Sequence, residues 1–154
     1  MMVDVGDLAP DVRFETAEGE ARLSAYRGRP LVFYFYPKDD TTGCTREAQD
    51  FTALAEEFAR AGAAVVGVSK DTPKKHKAFS AKYDLKVTLV SDTDGSVCEA
   101  FGTWIEKSLY GRKYMGIERA TFLIDAEGRI ARAWRKVKVP GHAEEVLEAV
   151  RSLP

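Results

Sequence analysis

Residues 31–36 read LVFYFY and stop at Pro37. A run with no polar face suits a strand covered on both sides, so this segment is predicted at the centre of a sheet with layers above and below it. After the polar stretch KDDTTG, residues 44–61 place Ala48, Phe51, Leu54, Ala55 and Phe58 at helical spacing and then meet Gly62, which predicts a helix with a glycine stop. Residues 64–69 (AVVGVS) read as the next strand, 73–83 as a helix opened by Pro73, and 87–91 as a third strand. Strand, helix, strand, helix, strand implies parallel crossovers.

The flanking segments complete the plan. Residues 12–23 alternate around Glu18-Gly19, which predicts a short hairpin ahead of the main fold. Residues 96–101 read as a short helix and 102–116 as a glycine-containing loop. Residues 120–124 and 130–137 flank the turn DAEG as an antiparallel hairpin, and 142–153 carry Val146, Leu147 and Val150 on one helical face. The expected fold class is α/β, a mixed central sheet flanked by helices with an N-terminal β-hairpin extension. One domain over 1–154 is expected, because no linker or repeat interrupts the pattern.

Composition narrows the function classes. The chain of 154 residues is 45% hydrophobic and 31% charged, the balance of a globular protein rather than of a disordered or membrane chain. A net charge of −1 gives no general attraction to nucleic acid or an anionic membrane. The start MMVDVGDLAPDV lacks a basic segment followed by an apolar one, so a cytoplasmic location is expected. Two cysteines, Cys44 and Cys98, do not make a disulfide scaffold; in a reducing compartment such residues are buried, redox-active or metal-binding.

Cys44 lies where a strand has ended and a helix begins. Unpaired backbone N–H groups and the positive helix end there favour a thiolate. A thiol of ordinary pKa about 8.5 falls to roughly 3.5–7.5 in such settings or beside a cation, and becomes a nucleophile at neutral pH. The competing reading is a small buried core residue.

The stretch YPKDDTTGCTREA, residues 36–48, resembles the active-site segment of peroxiredoxins, specifically the bacterioferritin-comigratory or PrxQ group. The family pattern of Pro, three residues, Thr, two residues, Cys is met by Pro37, Thr41 and Cys44. The likeness continues through Glu47, and returns in GDLAPDVRF, SDTDGSVCEAFG and ERATFLIDAEGRI, where Arg119 holds the family's arginine position. The resemblance implies a thioredoxin-like fold and a thiol-dependent peroxidase that needs no cofactor or metal. In it Cys44 attacks hydrogen peroxide or an organic hydroperoxide, Thr41 and backbone N–H groups hold the peroxide oxygens, Arg119 activates both, and Pro37 shields the pocket. Glu47 orients Arg119, and Gly43 supports the loop. Taken singly, these residues have plainer readings: a surface arginine, a first-turn acid, an N-cap and a strand terminator. Thr42 departs from the proline common in relatives and leaves the loop freer before Cys44.

The resemblance also frames how the sulfenic acid on Cys44 is reduced. Many relatives carry a resolving cysteine five residues on, and here that position is Gln49. Cys98 is then either a resolving residue or a buried thiol. A crosslink needs Cα atoms within about 7 Å and hence unfolding of a helix. The working expectation is a one-cysteine cycle driven by thioredoxin, glutaredoxin or a small thiol, in a monomer or weak homodimer. Two rival classes stand beside it: a Cys-x-x-Cys oxidoreductase, disfavoured because Thr41 stands three residues before Cys44, and a non-turnover redox sensor or holdase.

Other signals point elsewhere. Lys74, Lys75, His76 and Lys77 read as a solvated helix face rather than a nucleic-acid site. Asp92 and Asp94 before Gly95 read as a turn with a helix cap rather than a calcium loop. Trp104 and Tyr110 have two readings, walls of the peroxide pocket or packing of a long loop.

Overall fold

The computed structural model describes residues 3–154. The central strand β3 (Leu31–Phe35) is buried along its whole length. It pairs in parallel with β4 (Ala64–Ser69), which pairs in parallel with β5 (Thr88–Ser91). On the other side β3 runs antiparallel to β8 (Ala120–Ile124), and β8 to β9 (Ile130–Trp134). The N-terminal hairpin expected over residues 12–23 is present as β1 (Arg13–Thr16) and β2 (Gly19–Arg22); β1 also pairs antiparallel with β5, so the hairpin extends the main sheet, whose order is β2-β1-β5-β4-β3-β8-β9.

Alternation along β3 divides the core in two. Val32, Tyr34 and Tyr36 point to the face covered by α1 (Thr42–Ala53), α2 (Ala55–Arg60), α3 (Pro73–Tyr83) and α5 (His142–Arg151), where they meet Phe51, Phe58, Phe79 and Val146. Leu31, Phe33 and Phe35 point to the other face, where α4 (Ser96–Phe101) supplies Val97, Cys98 and Phe101. Burial of each large apolar side chain contributes about 1.5–3 kcal/mol. The LVFYFY run therefore supplies both half-cores from one strand, and no polar substitution on it can be turned towards water.

Three expectations need correction. The helix expected over 44–61 starts earlier, at Thr42, and breaks at Leu54, whose φ of −101° and ψ of 10° leave the helical region. Residues 102–116 are not a loop but a separate antiparallel hairpin, β6 (Trp104–Leu109) and β7 (Arg112–Ile117). Its turn residues Tyr110 and Gly111 both have positive φ, 51° and 76°, the tight hairpin turn whose twist matches its strands. Periodicity missed it because Leu109, Tyr114 and Met115 are exposed, so no face of it reads as core. Strand β9 ends at Trp134 rather than 137: Lys136 takes a left-handed conformation (φ 49°), and the Val137 N–H turns to the Arg119 carbonyl.

Candidate active site

Cys44 is the third residue of α1, 2% exposed, and packs with Tyr34, Tyr36, Ala48 and Phe51 in the core beneath that helix. At this position the first-turn amides have no intrahelical acceptor and the helix dipole is positive. Arg119, just before β8, reaches across: Nη2 donates to Cys44 Sγ at 3.3 Å and Nη1 to Glu47 Oε1 at 2.7 Å. Gly43 makes room for this approach, since a Cβ there would lie 3.1 Å from Nη2 of Arg119.

Glu47 follows Cys44 by three residues and so shares its helix face. It is 1% exposed, and its second oxygen, Oε2, has no hydrogen-bond partner among the described residues. Burial pushes its carboxyl up to about 7, with Arg119 pulling the other way. Although burial opposes it, Glu47 and Cys44 together hold the Arg119 guanidinium above its ordinary range. One cation thus serves two acidic groups in a water-poor site, where its field is far stronger than at the surface.

The loop from β3 to α1 carries the rest. Pro37 is half-buried directly after Tyr36. Thr41 occupies the N-cap position but its side chain caps nothing; the hydroxyl donates to the Lys38 carbonyl at 2.9 Å. With its hydrogen committed backwards, the oxygen is left free to accept.

Two residues near the site escaped the sequence reading. Lys107 of β6 feels the same pair: burial and Arg119 push its ammonium down, and Cys44 pulls it up. The signal for it was the strand alternation of β6, hidden by the loop assignment. His76 was assigned to a solvated face, yet only Lys74, Lys75 and Lys77 are exposed and His76 is buried. Its ring lies 2.7 Å from Asp39 Oδ2 and 2.8 Å from the Val90 carbonyl. Side-chain atoms of Asp39, Asp71 and His76 come within 4.8 Å of one another, close enough to share a metal ion. These groups already bond one another and Ser69, so the cluster reads as a closed polar network.

Tyr110 is 99% exposed at the hairpin turn, while Trp104 is half-buried with the Lys70 ammonium 4.2 Å from its ring centre. Asp92 caps α4 through the N–H groups of Val97 and Cys98, at 3.0 and 2.8 Å. Cys98 itself is fully buried on the opposite face of the sheet from Cys44. Burial, a bond to Asp92 and that carboxylate's charge push its thiol far above the ordinary range. Among the described residues no helix is long and apolar enough to cross a membrane.

A thiol at a helix start, gripped by an arginine on a thioredoxin-like sheet, has the parts a thiol-dependent peroxidase requires: a nucleophile, and cationic donors for the charge that develops on oxygen. The family model described as AhpC/TSA matches residues 5–133. The chain is 46% identical over 154 residues to peroxiredoxin Bcp of Bacillus subtilis, covering 99% of this chain and 98% of that one. It is 51% identical over 133 residues to peroxiredoxin Bcp of Xanthomonas campestris, covering 86% and 83%. A structure of the Xanthomonas bacterioferritin comigratory protein, solved to study its alkyl peroxide reduction, superposes with a TM-score of 0.89 at 46% identity, covering 97% and 96%. The chain therefore belongs to the AhpC/TSA family, in its Bcp or PrxQ group of peroxiredoxins, enzymes that reduce a peroxide with electrons from a thiol.

Proposed function

We propose that Cys44 is the peroxidatic residue and that hydrogen peroxide and organic hydroperoxides are its substrates. The observation that carries this reading is the single guanidinium of Arg119 bound to both Cys44 and Glu47. The Cys44 thiolate attacks one oxygen of ROOH, the O–O bond breaks, and the departing RO⁻ takes a proton to leave as water or alcohol. Cys44 is left as sulfenic acid. Arg119 stabilises the charge passing to the departing oxygen, Thr41 accepts the peroxide hydrogen, and Pro37 keeps bulk water away. Glu47 and Gly43 position Arg119.

Recovery follows a one-cysteine cycle. A thiol R′SH condenses with the sulfenic acid, releasing water and leaving a mixed disulfide on Cys44; a second thiol then returns Cys44 and leaves as R′SSR′. The exposed Gln49 stands where relatives carry a resolving cysteine, and Cys98 lies across the sheet. The reductant is a small thiol, glutaredoxin or thioredoxin, drawn from the reducing cytoplasm, and the working unit is one domain over 1–154, as a monomer or weak homodimer.

Turnover with dithiothreitol or a thioredoxin system tests the reading. Many equivalents of peroxide consumed per chain, with dimedone labelling confined to Cys44, is the expected result. A single stoichiometric burst would mean a sensor or holdase instead.

A further inference from the structure

The peroxidatic loop is tied to α3 by groups the chemistry above does not use. Asp39, two residues before Thr41, is buried. Its Oδ1 accepts from Tyr36 Oη at 2.6 Å, and its Oδ2 lies 2.7 Å from His76 Nδ1. Its backbone N–H donates to Asp71 Oδ2 at 2.8 Å, an oxygen that also accepts from Ser69 Oγ at 2.6 Å. The far nitrogen of His76, Nε2, lies 2.8 Å from the Val90 carbonyl on β5. Next along the loop, Asp40 holds a left-handed conformation (φ 57°) while its carboxylate accepts from Lys82 and Tyr83, also on α3.

A continuous line of bonds thus runs from β5 through His76 and Asp39 into the turn whose other end presents Thr41 and Cys44. Both ring nitrogens of His76 face acceptors, so the ring is a strut held at two ends rather than a filler. The loop's other ties lie at the surface or on its backbone: Lys38 and Asp40 are exposed, and Thr42 stands where a proline would have stiffened the chain. An unpaired buried carboxylate at Asp39 would be costly and would move the turn.

We infer that His76 is a positioning residue for the peroxidatic loop, holding Asp39 so that Thr41 and Cys44 keep the geometry that peroxide attack requires. This rests on the peroxidatic reading of Cys44. Displacements near 1 Å cost roughly 10²-fold in reactions that need in-line approach, while simple alkylation of a thiol makes no such demand.

Two near-isosteric variants separate positioning from bulk stability. His76→Asn keeps a donor near the Nδ1 position and loses the Val90 contact; His76→Gln reaches towards Val90 and loses Asp39. Each removes one bond, so a merely structural role would affect them alike. The rate of Cys44 oxidation by hydrogen peroxide is expected to fall about tenfold in His76→Gln and less than threefold in His76→Asn. Cys44 alkylation by iodoacetamide is expected to change less than threefold in both. Equal losses in the two variants, or peroxide and iodoacetamide rates falling in step with the thermal midpoint, would overturn the inference. Tyr36→Phe, which removes the hydroxyl's bond to Asp39 and its 3.5 Å approach to His76 Nδ1, gives a second check: a severalfold loss with peroxide alone supports the strut, and no change overturns it. A wild type that alkylates but consumes no peroxide would remove the inference together with the reading of Cys44 beneath it, a case the wild type alone identifies.

Discussion

The two cysteines are buried alike, 2% exposed for Cys44 and 0% for Cys98, yet they sit on opposite faces of one sheet with opposite neighbours. Cys44 meets the Arg119 guanidinium at 3.3 Å. Cys98 meets the Asp92 carboxylate, whose hydrogen bond and charge add to burial in raising its thiol. Burial therefore does not distinguish the two thiols; the sign of the nearest charge does, a guanidinium at Cys44 and a carboxylate at Cys98. The first turn of a helix does not separate them either, because Cys98 also lies in one, and there Asp92 occupies the amides that would have faced an anion.

The largest test of that contrast is loss of the reactive thiol. Cys44→Ser is expected to lower kcat/KM for peroxide by at least about 10³-fold in steady-state assays, since an unactivated hydroxyl is a poor nucleophile; retained activity would move the chemistry elsewhere. Next in size is the cation. Arg119→Met is expected to cost about 10²-fold in kcat/KM. Arg119→Lys should recover only part of it, because an ammonium lacks the fork that reaches Oε1 and Sγ together. Full recovery with lysine would reduce the arginine to a simple charge.

Glu47 gives a smaller effect, with a sign fixed by its raised pKa. The carboxyl moves from 4.5 to about 7 on folding, so its protonated form is favoured in the native state. That contribution is complete below about pH 4.5 and is lost as pH rises through about 7. Glu47→Gln keeps the bond from Arg119 and removes the titration. Its stability relative to wild type should therefore rise between pH 4.5 and 7, by on the order of 2 kcal/mol, in denaturant melts across that range. A flat difference would mean that Glu47 is fully paired with Arg119.

The smallest expected effect is at Cys98. Cys98→Ala should leave peroxidase activity within about twofold and cost about 1 kcal/mol of stability for the lost packing. Non-reducing peptide maps after one equivalent of peroxide should lack a Cys44–Cys98 crosslink. A dominant crosslink would show that the sheet does not keep the two thiols apart.

Legibility followed the reach of each signal along the chain. Strands β3, β4 and β8 and helix α3 could be read within a residue, because an unbroken apolar run or a helix opened by Pro73 is local information. The pattern of Pro37, Thr41, Cys44 and distant Arg119 was legible through the resemblance. The hairpin of β6 and β7 was missed because its strands are half-exposed and only its turn announces it. His76 was missed for a related reason: three lysines around it dominate the local pattern, and nothing local says that one residue of four turns inward.

By itself the sequence determined the layered sheet, the strand-to-helix junction at Cys44 and the chemistry such a thiol can perform, since hydrophobic period and helix-end polarity are properties of short segments. Tertiary structure alone decided which charge each thiol meets, that one guanidinium serves both Cys44 and Glu47, and that His76 of α3 braces the loop through Asp39. Those contacts join residues 37 to 75 positions apart, and electrostatic energy depends on distance and burial in space, which no local pattern encodes.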